Sequence, residues 1–240
     1  MSLVLFDFDD TVTMLDSTLL LGVFVARKRA ARHRILLLVA ALLLARFRLV
    51  SNTGLKRVFA GLVGGQTASQ LQLLAREFYD DWLNTIADDE ILDALRMHVL
   101  NGDRVFLVSA NFDWLLEPLA DRWSLAGVIA TQTEYRAGVC TGGIIGTACH
   151  GTEKLRRVVD HFGEATLEQA IAYGNKDDAP LLEAVQTGYL IRRTKPSFPM
   201  GLLRRYSHVL SGKLSQAELL AAPKIDLLPT SRCSVKTVIT

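Results

Sequence analysis

Two carboxylates stand two residues apart in the run Asp7-Phe8-Asp9-Asp10-Thr11, directly after the apolar stretch Leu3-Val4-Leu5-Phe6. In a turn at the end of a strand, both side chains can face one pocket. One can then attack an electrophilic centre such as phosphorus. The other can protonate the leaving alcohol and later take a proton from the hydrolytic water. Asp7 is read as the nucleophile and Asp9 as the acid/base, with Thr11 orienting Asp9 or holding the loop. Carboxylates repel a phosphate dianion, so a cation is required, and a hard site of oxygen ligands favours Mg2+. More carboxylate is found in Gly174-Asn175-Lys176-Asp177-Asp178. Ser109, with the backbone N–H groups of Ala110 and Asn111 and the point charge of Lys154, supplies donors for phosphoryl oxygens.

These residues can work together only if the fold gathers them. Leu3–Phe6, Arg104–Val108, Ala170–Tyr173 and Gly188–Ile191 are short continuous apolar runs, as in strands covered on both faces. Between them, Leu115–Trp123, Glu153–Phe162 and Pro180–Val185 carry apolar residues at helical spacing. Alternation of this kind implies an α/β fold with a Rossmann-like, mostly parallel sheet. Ligands then bind beyond the carboxyl ends of the strands, where Asp7, Ser109 and Gly174 would converge. Residues 14–95 break the alternation and read as helices throughout, including the amphipathic segment Ala68–Ala87. The expected division is a catalytic core at 1–13 and 96–195, a helical cap at 14–95 inserted after strand one, and a loosely attached extension at 196–240. A β-hairpin is expected from Thr131–Tyr135 and Cys140–Ile145, with a structural role.

Taken in order, Asp7-Phe8-Asp9-Asp10-Thr11, Ser109, Lys154 and Gly174-Asn175-Lys176-Asp177-Asp178 resemble the four motifs of the haloacid dehalogenase superfamily of phosphatases. The resemblance spans residues 3 to 193. Val108-Ser109-Ala110-Asn111 and Cys149-His150-Gly151-Thr152-Glu153-Lys154 are similar to the phosphoserine-phosphatase-like subfamily IB, above all to phosphatidylglycerophosphatase C-like members. That resemblance implies Asp7 as nucleophile and metal ligand, and Asp9 as acid/base and backbone metal ligand. It also implies Ser109 and Lys154 on phosphate, and a motif-four acid on Mg2+. One departure matters. The family pattern has Asp after the motif-four glycine and an acid four residues later, where this chain has Asn175 and Ala179. The loop reads one residue short, so Asp178 or Asp177 would take the metal in a shifted register, with Asn175 a neutral ligand or a partner behind it.

Composition narrows the setting. The chain has 240 residues, 50% hydrophobic and 22% charged, enough for a sizeable core rather than a disordered chain. Net charge is only +2, yet nine basic residues fall between Arg27 and Arg57. Three widely spaced cysteines suggest neither zinc nor disulfides. With no basic leader before the first apolar run, a cytoplasmic protein is expected.

Residues 35–45 are apolar throughout and as a helix would cover about 16 Å, against roughly 30 Å for a bilayer core. They are too short to span alone. With Leu19–Ala26 and the basic Arg27–Arg34, residues 19–48 could rest on an anionic membrane from its inner face. The bland reading is that these helices form the cap's own core or a dimer contact. Leu74, Phe78 and Trp82 lie at packing spacing, so nucleic acid is not expected as a partner. His98, His150 and His161 lack ligand spacing and are assigned no catalytic role.

The function expected is a Mg2+-dependent phosphomonoester hydrolase acting through an aspartyl-phosphate, on a lipid phosphate such as phosphatidylglycerophosphate. The alternative is a soluble phosphatase for a small metabolite resembling phosphoserine. A third reading is a non-catalytic binding protein that kept this fold while motif four decayed. Oligomeric state is not legible.

Overall fold

A computed structural model describes residues 1–28, 51–192 and 226–229. Strands β1 (Leu3–Phe6), β2 (Arg104–Phe112), β3 (Gly127–Thr131), β6 (Ile171–Gly174), β7 (Thr187–Arg192) and β8 (Asp226–Pro229) form one sheet in the order β3-β2-β1-β6-β7-β8. The first five run parallel, and β8 joins the edge antiparallel to β7. β4 (Thr133–Arg136) and β5 (Val139–Ile144) form a separate hairpin.

β1 is buried along its whole length because alternate residues feed two cores. Val4 and Phe6 point into one apolar cluster, while Leu3 and Leu5 point into the other. The second cluster is closed by α6 (Thr152–Phe162) through Val158 and by α8 (Ala179–Ala184) through Leu181 and Leu182. β1 neighbours β2 on one side and β6 on the other, so the chain changes direction across the sheet at β1. A cleft therefore opens beyond the carboxyl ends of β1 and β6.

Between β1 and β2 the chain runs through a helical insertion: α1 (Ser17–Lys28), α2 (Asn52–Val63) and α3 (Ala68–Ile86), followed by α4 (Asp89–Leu100). Ser51, Thr67 and Asp88 cap the last three, each accepting a backbone N–H in the first turn. The two ends of the insertion are pinned together: Met14 N donates to Ile86 O at 2.7 Å and Asp88 N to Val12 O at 2.9 Å. Its interior is not a separate core. Leu20, Phe24, Phe78 and Tyr79 belong to the same cluster as Val4, Phe6 and Leu107. The β4–β5 hairpin also grips it, with Gly65 N donating to Cys140 O and Cys140 N to Gln66 O. Gly142 makes that contact possible, since a Cβ there would lie 3.3 Å from Gly61 Cα.

Several elements differ from the sequence expectation. β2 runs through Phe112 rather than stopping at Val108. β3 was not anticipated, because Val128-Ile129-Ala130 runs without a break into the hairpin segment. Of residues 19–48, only 19–28 are described; there Leu20, Leu21, Phe24 and Val25 face the shared core. The apolar run 35–45 lies outside the described residues. Among the described residues, no helix is long and apolar enough to cross a membrane. Of the extension 196–240, the described part is β8.

Candidate active site

Asp7 follows β1, and its backbone N–H continues the ladder to Tyr173 O at 2.8 Å. The next residues form a tight turn, with Asp10 in the left-handed region at φ 59° and Thr13 N closing on Phe8 O at 2.9 Å. A short polar residue tolerates that conformation. The turn aims the Asp7 carboxylate into the cleft and surrounds it with donors. Lys154 Nζ lies 2.8 Å from Oδ1. Thr11 Oγ1 at 2.8 Å and Asn175 Nδ2 at 3.0 Å both donate to Oδ2. Thr11 thus serves Asp7 and not Asp9.

Lys154 is buried at 2% exposure and also contacts Asp178 Oδ1. Burial works against its charge, but Asp7 and Asp178 outweigh it and hold the ammonium well above the usual lysine range. One cation between two buried carboxylates leaves a negative charge over. Burial, then the proximity of Asp7, accordingly pushes Asp178 up to about 7, with Lys154 opposing. Asp178 Oδ2 also accepts the Asn175 N–H at 2.9 Å. Gly174 makes room for that carboxylate, since a Cβ there would fall 2.8 Å from it.

Asp9 is held from a different direction. Ser17 N donates to Oδ1 at 2.8 Å and Asn111 Nδ2 to Oδ2 at 3.2 Å. Burial, then the negative charge of Asp16, raises Asp9 to about 7 against the pull of Lys56. At neutral pH such a group can both give and take a proton. Ser109 is buried, accepts from Asn111 N at 3.1 Å, and sits next to Ala110, whose carbonyl is fixed by Thr131 Oγ1 at 2.7 Å.

A cavity of about 200 Å³ joins these groups. Asp7, Asp9, Ser109, Ala110, Lys154, Asn175, Asp177 and Asp178 line it, so all but one of the residues assigned from the sequence to catalysis, phosphate or metal meet there. Asn111 is the exception, fully buried behind Asp9. Sequence reasoning missed Asp16, Thr18 and Lys56, which line the cavity from the insertion, and left His150 without a role although it lines the cavity too. His150 stands 4.0 Å from Asp177, and burial lowers its pKa. The basic run was the only signal for Lys56, and it pointed to a membrane.

Among the described residues, no three His, Cys, Asp or Glu side chains converge as a metal site. Two hard oxygens do converge. Asp7 Oδ2 and the Asp9 carbonyl both accept from Asn175 Nδ2, at 3.0 and 3.1 Å. A carboxylate and a carbonyl oxygen aimed at one point suit a hard divalent cation. Asp177 lines the same cavity, with its N–H capped by Asn175 Oδ1 at 2.8 Å.

The profile of the haloacid dehalogenase-like hydrolase family matches residues 4–183. The chain belongs to that family. It is 30% identical over 203 residues to phosphoserine phosphatase SerB1 of Mycobacterium tuberculosis, a match covering 78% of this chain and 63% of that protein. It is also 27% identical to protein CicA of Caulobacter vibrioides, covering 81% and 88%. Among solved structures, it is similar to a protein of unknown function from Bordetella pertussis, with TM-score 0.68 and 28% identity, covering 77% of this chain and 86% of that one. A probable phosphoserine phosphatase from Vibrio cholerae shares the fold with TM-score 0.57 at 14% identity, covering 77% and 54%.

Proposed function

We propose that this hydrolase is a Mg2+-dependent phosphatase that forms an aspartyl-phosphate on Asp7. The observation that carries the proposal is the pairing of a fixed, donor-ringed carboxylate at Asp7 with a second carboxylate, Asp9, whose proton affinity is raised to about 7. Asp7 attacks phosphorus as the ester P–O bond breaks, and Asp9 delivers its proton to the departing oxygen. Asp9 then takes a proton from the water that cleaves the acyl-phosphate. Lys154, Ser109 and the backbone N–H of Ala110 hold the phosphoryl oxygens, while the Asn111 N–H holds the Ser109 hydroxyl. Asp7, the Asp9 carbonyl and one of Asn175, Asp177 or Asp178 would hold the metal, which when bound neutralises the charge of the phosphate. Asp178 is already engaged by Lys154 and Asn175 N, and the cap reaches the cavity through Asp16, Thr18, Leu55, Lys56 and Phe59.

Two substrate classes follow. A small phosphorylated metabolite is supported by the cavity's volume of about 200 Å³, by the inward-facing apolar residues of α1 and by the SerB1 relative. A lipid phosphate such as phosphatidylglycerophosphate, met at the inner membrane face, is supported by the basic and apolar sequence of residues 27–48. Phosphate release with Mg2+ is measured on phosphoserine and on phosphatidylglycerophosphate vesicles, with the Asp7→Asn variant alongside. Release by the wild type and none by the variant is expected; release by neither, on any monoester, overturns the proposal. Flotation with anionic liposomes separates the two classes. Asp178→Ala should weaken Mg2+-dependent turnover more than Asn175→Ala, and the reverse order would hand the metal to Asn175.

A further inference from the structure

Lys56 lies on α2 of the insertion and is buried at 8% exposure, with its ammonium beside the catalytic cavity. It donates to Thr18 Oγ1 at 2.7 Å and stands 5.5 Å from the ring centroid of Phe112. Neither partner carries a formal charge, so the burial of this cation is compensated by the field of the nearby acids, Asp9 among them. Thr18 Oγ1 donates in turn to Asn111 Oδ1 at 3.3 Å. Asn111 uses both hydrogens of its amide, one on Asp9 Oδ2 at 3.2 Å and one on Ser17 Oγ at 2.7 Å. Ser17 N closes the figure on Asp9 Oδ1 at 2.8 Å. An unbroken chain thus runs from helix α2 to the acid/base, through α1 and the end of β2.

Each link removes a freedom. With Lys56 donating to its oxygen, the Thr18 hydroxyl must turn its hydrogen toward Asn111 Oδ1. The Phe112 N–H donates to the same Oδ1 at 3.1 Å, so the backbone and the hydroxyl together hold the Asn111 oxygen and present Nδ2 to Asp9. One lone pair of each Asp9 oxygen is then spoken for, which leaves the others for the cavity. Cutting the chain at Lys56 frees the hydroxyl rotor and takes away one of the two donors that seat the Asn111 amide, so the support of Asp9 Oδ2 is loosened while Ser17 N still holds Oδ1.

We propose that Lys56, acting through Thr18 and Asn111, is a positioning residue for Asp9, so that protonation of the leaving group depends on docking of helix α2. The inference rests on the phosphatase reading. In the first step the Asp7 oxygen bonds to phosphorus, the ester P–O bond breaks, and the leaving oxygen takes the Asp9 proton. An alkoxide needs that proton; a p-nitrophenolate does not.

The test compares kcat/KM, which reports the first chemical step, for p-nitrophenyl phosphate and for a panel of alkyl phosphates whose leaving groups are uncharged, glycerol phosphate included. Uncharged leaving groups keep any role of Lys56 in recognising a substrate anion out of the comparison. K56M should lose about 30-fold on alkyl esters, part of the roughly 100- to 10,000-fold that general acid catalysis supplies, and no more than about threefold on the aryl ester. T18V, which keeps the lysine and cuts the chain one link later, should show the same split when assayed well below its Tm, where the variant is folded. Equal losses on both esters, or a loss confined to KM, overturn the inference while leaving the phosphatase reading standing. So does a wild type that turns over the aryl ester and no alkyl ester, since it has no acid step to position. A wild type inert toward every ester overturns both.

Discussion

The two carboxylates in the turn after β1 are separated by one residue and supported in opposite ways. Asp7 is held by Lys154 from α6, by Asn175 from the loop after β6 and by Thr11 of its own turn, all parts of the sheet and its covering layer. Its main partner is a full charge. Asp9 is held by neutral groups, Ser17 N and the Asn111 amide, and these lean on residues of the helical insertion. In the proposed mechanism the nucleophile is aimed by an ion pair with Lys154 and by two neutral donors. A proton carrier must be free to change charge, and dipoles orient it without fixing its state. The site divides its labour accordingly: charge pairing from the core, orientation from the insertion.

Breaking the charged half should have the largest effects. Asp7→Asn should reduce phosphate release by at least about a thousandfold, since a carboxamide cannot replace the nucleophile; phosphate-release kinetics at saturating Mg2+ check this, and a smaller loss would move the nucleophile elsewhere. Lys154→Met leaves Asp7 and Asp178 buried side by side with no cation. Removing one partner of such a group costs about 3–5 kcal/mol, readable by urea denaturation. The deficit should be smaller at pH 5 than at pH 8, because the stranded carboxylates can take up a proton. A deficit that does not vary with pH would show that the two acids do not share the lysine. Within the same half, Thr11→Val is informative by contrast: its hydroxyl is a neutral donor to Asp7, so it should cost about 1 kcal/mol and slow aryl and alkyl esters alike, unlike the Lys56 and Thr18 variants.

The smallest effect is expected outside the site. Glu153, one residue before Lys154, is held at about 2 by its hydrogen bond to Arg156, against a small burial cost and with further help from Arg157. Arg157 also donates to Ala130 O at 2.7 Å and Thr147 O at 2.6 Å, tying α6 to β3. The folded pKa of Glu153 is depressed, so its contribution is present above the unfolded value of 4.5 and fades as pH falls toward 2. Because the pair is solvent-facing, Glu153→Gln should cost no more than about 1 kcal/mol at pH 7, and the difference from wild type should vanish near pH 2 in acid denaturation.

Much of the charged half was legible in the sequence, because its residues fall at strand ends. Leu3–Phe6 before Asp7, and Ala170–Tyr173 before Gly174, mark positions that a parallel sheet must bring to one edge. The neutral half was not. Thr18, Lys56 and Asn111 come from three separate segments, each ordinary in its local pattern, and only the packing of α1 and α2 against β2 makes them a chain. Asn111 was assigned to phosphate because it follows Ser109; in the structure its side chain turns behind the cavity to Asp9. β3 was missed because a single residue, Gln132, separates it from the hairpin that follows. Asp178 sat in the right loop, but spacing could not show that Lys154 engages it.

The paired stem of the insertion, with Met14 on Ile86 and Asp88 on Val12, has a consequence for heredity and for engineering. A segment whose two ends meet can be exchanged as a cassette without reworking the sheet. Here the cassette would carry Ser17, Thr18 and Lys56 with it, so a graft that altered what enters the cavity would also replace the support of Asp9. Variation in this segment would change selectivity and reaction rate together, in one inherited step.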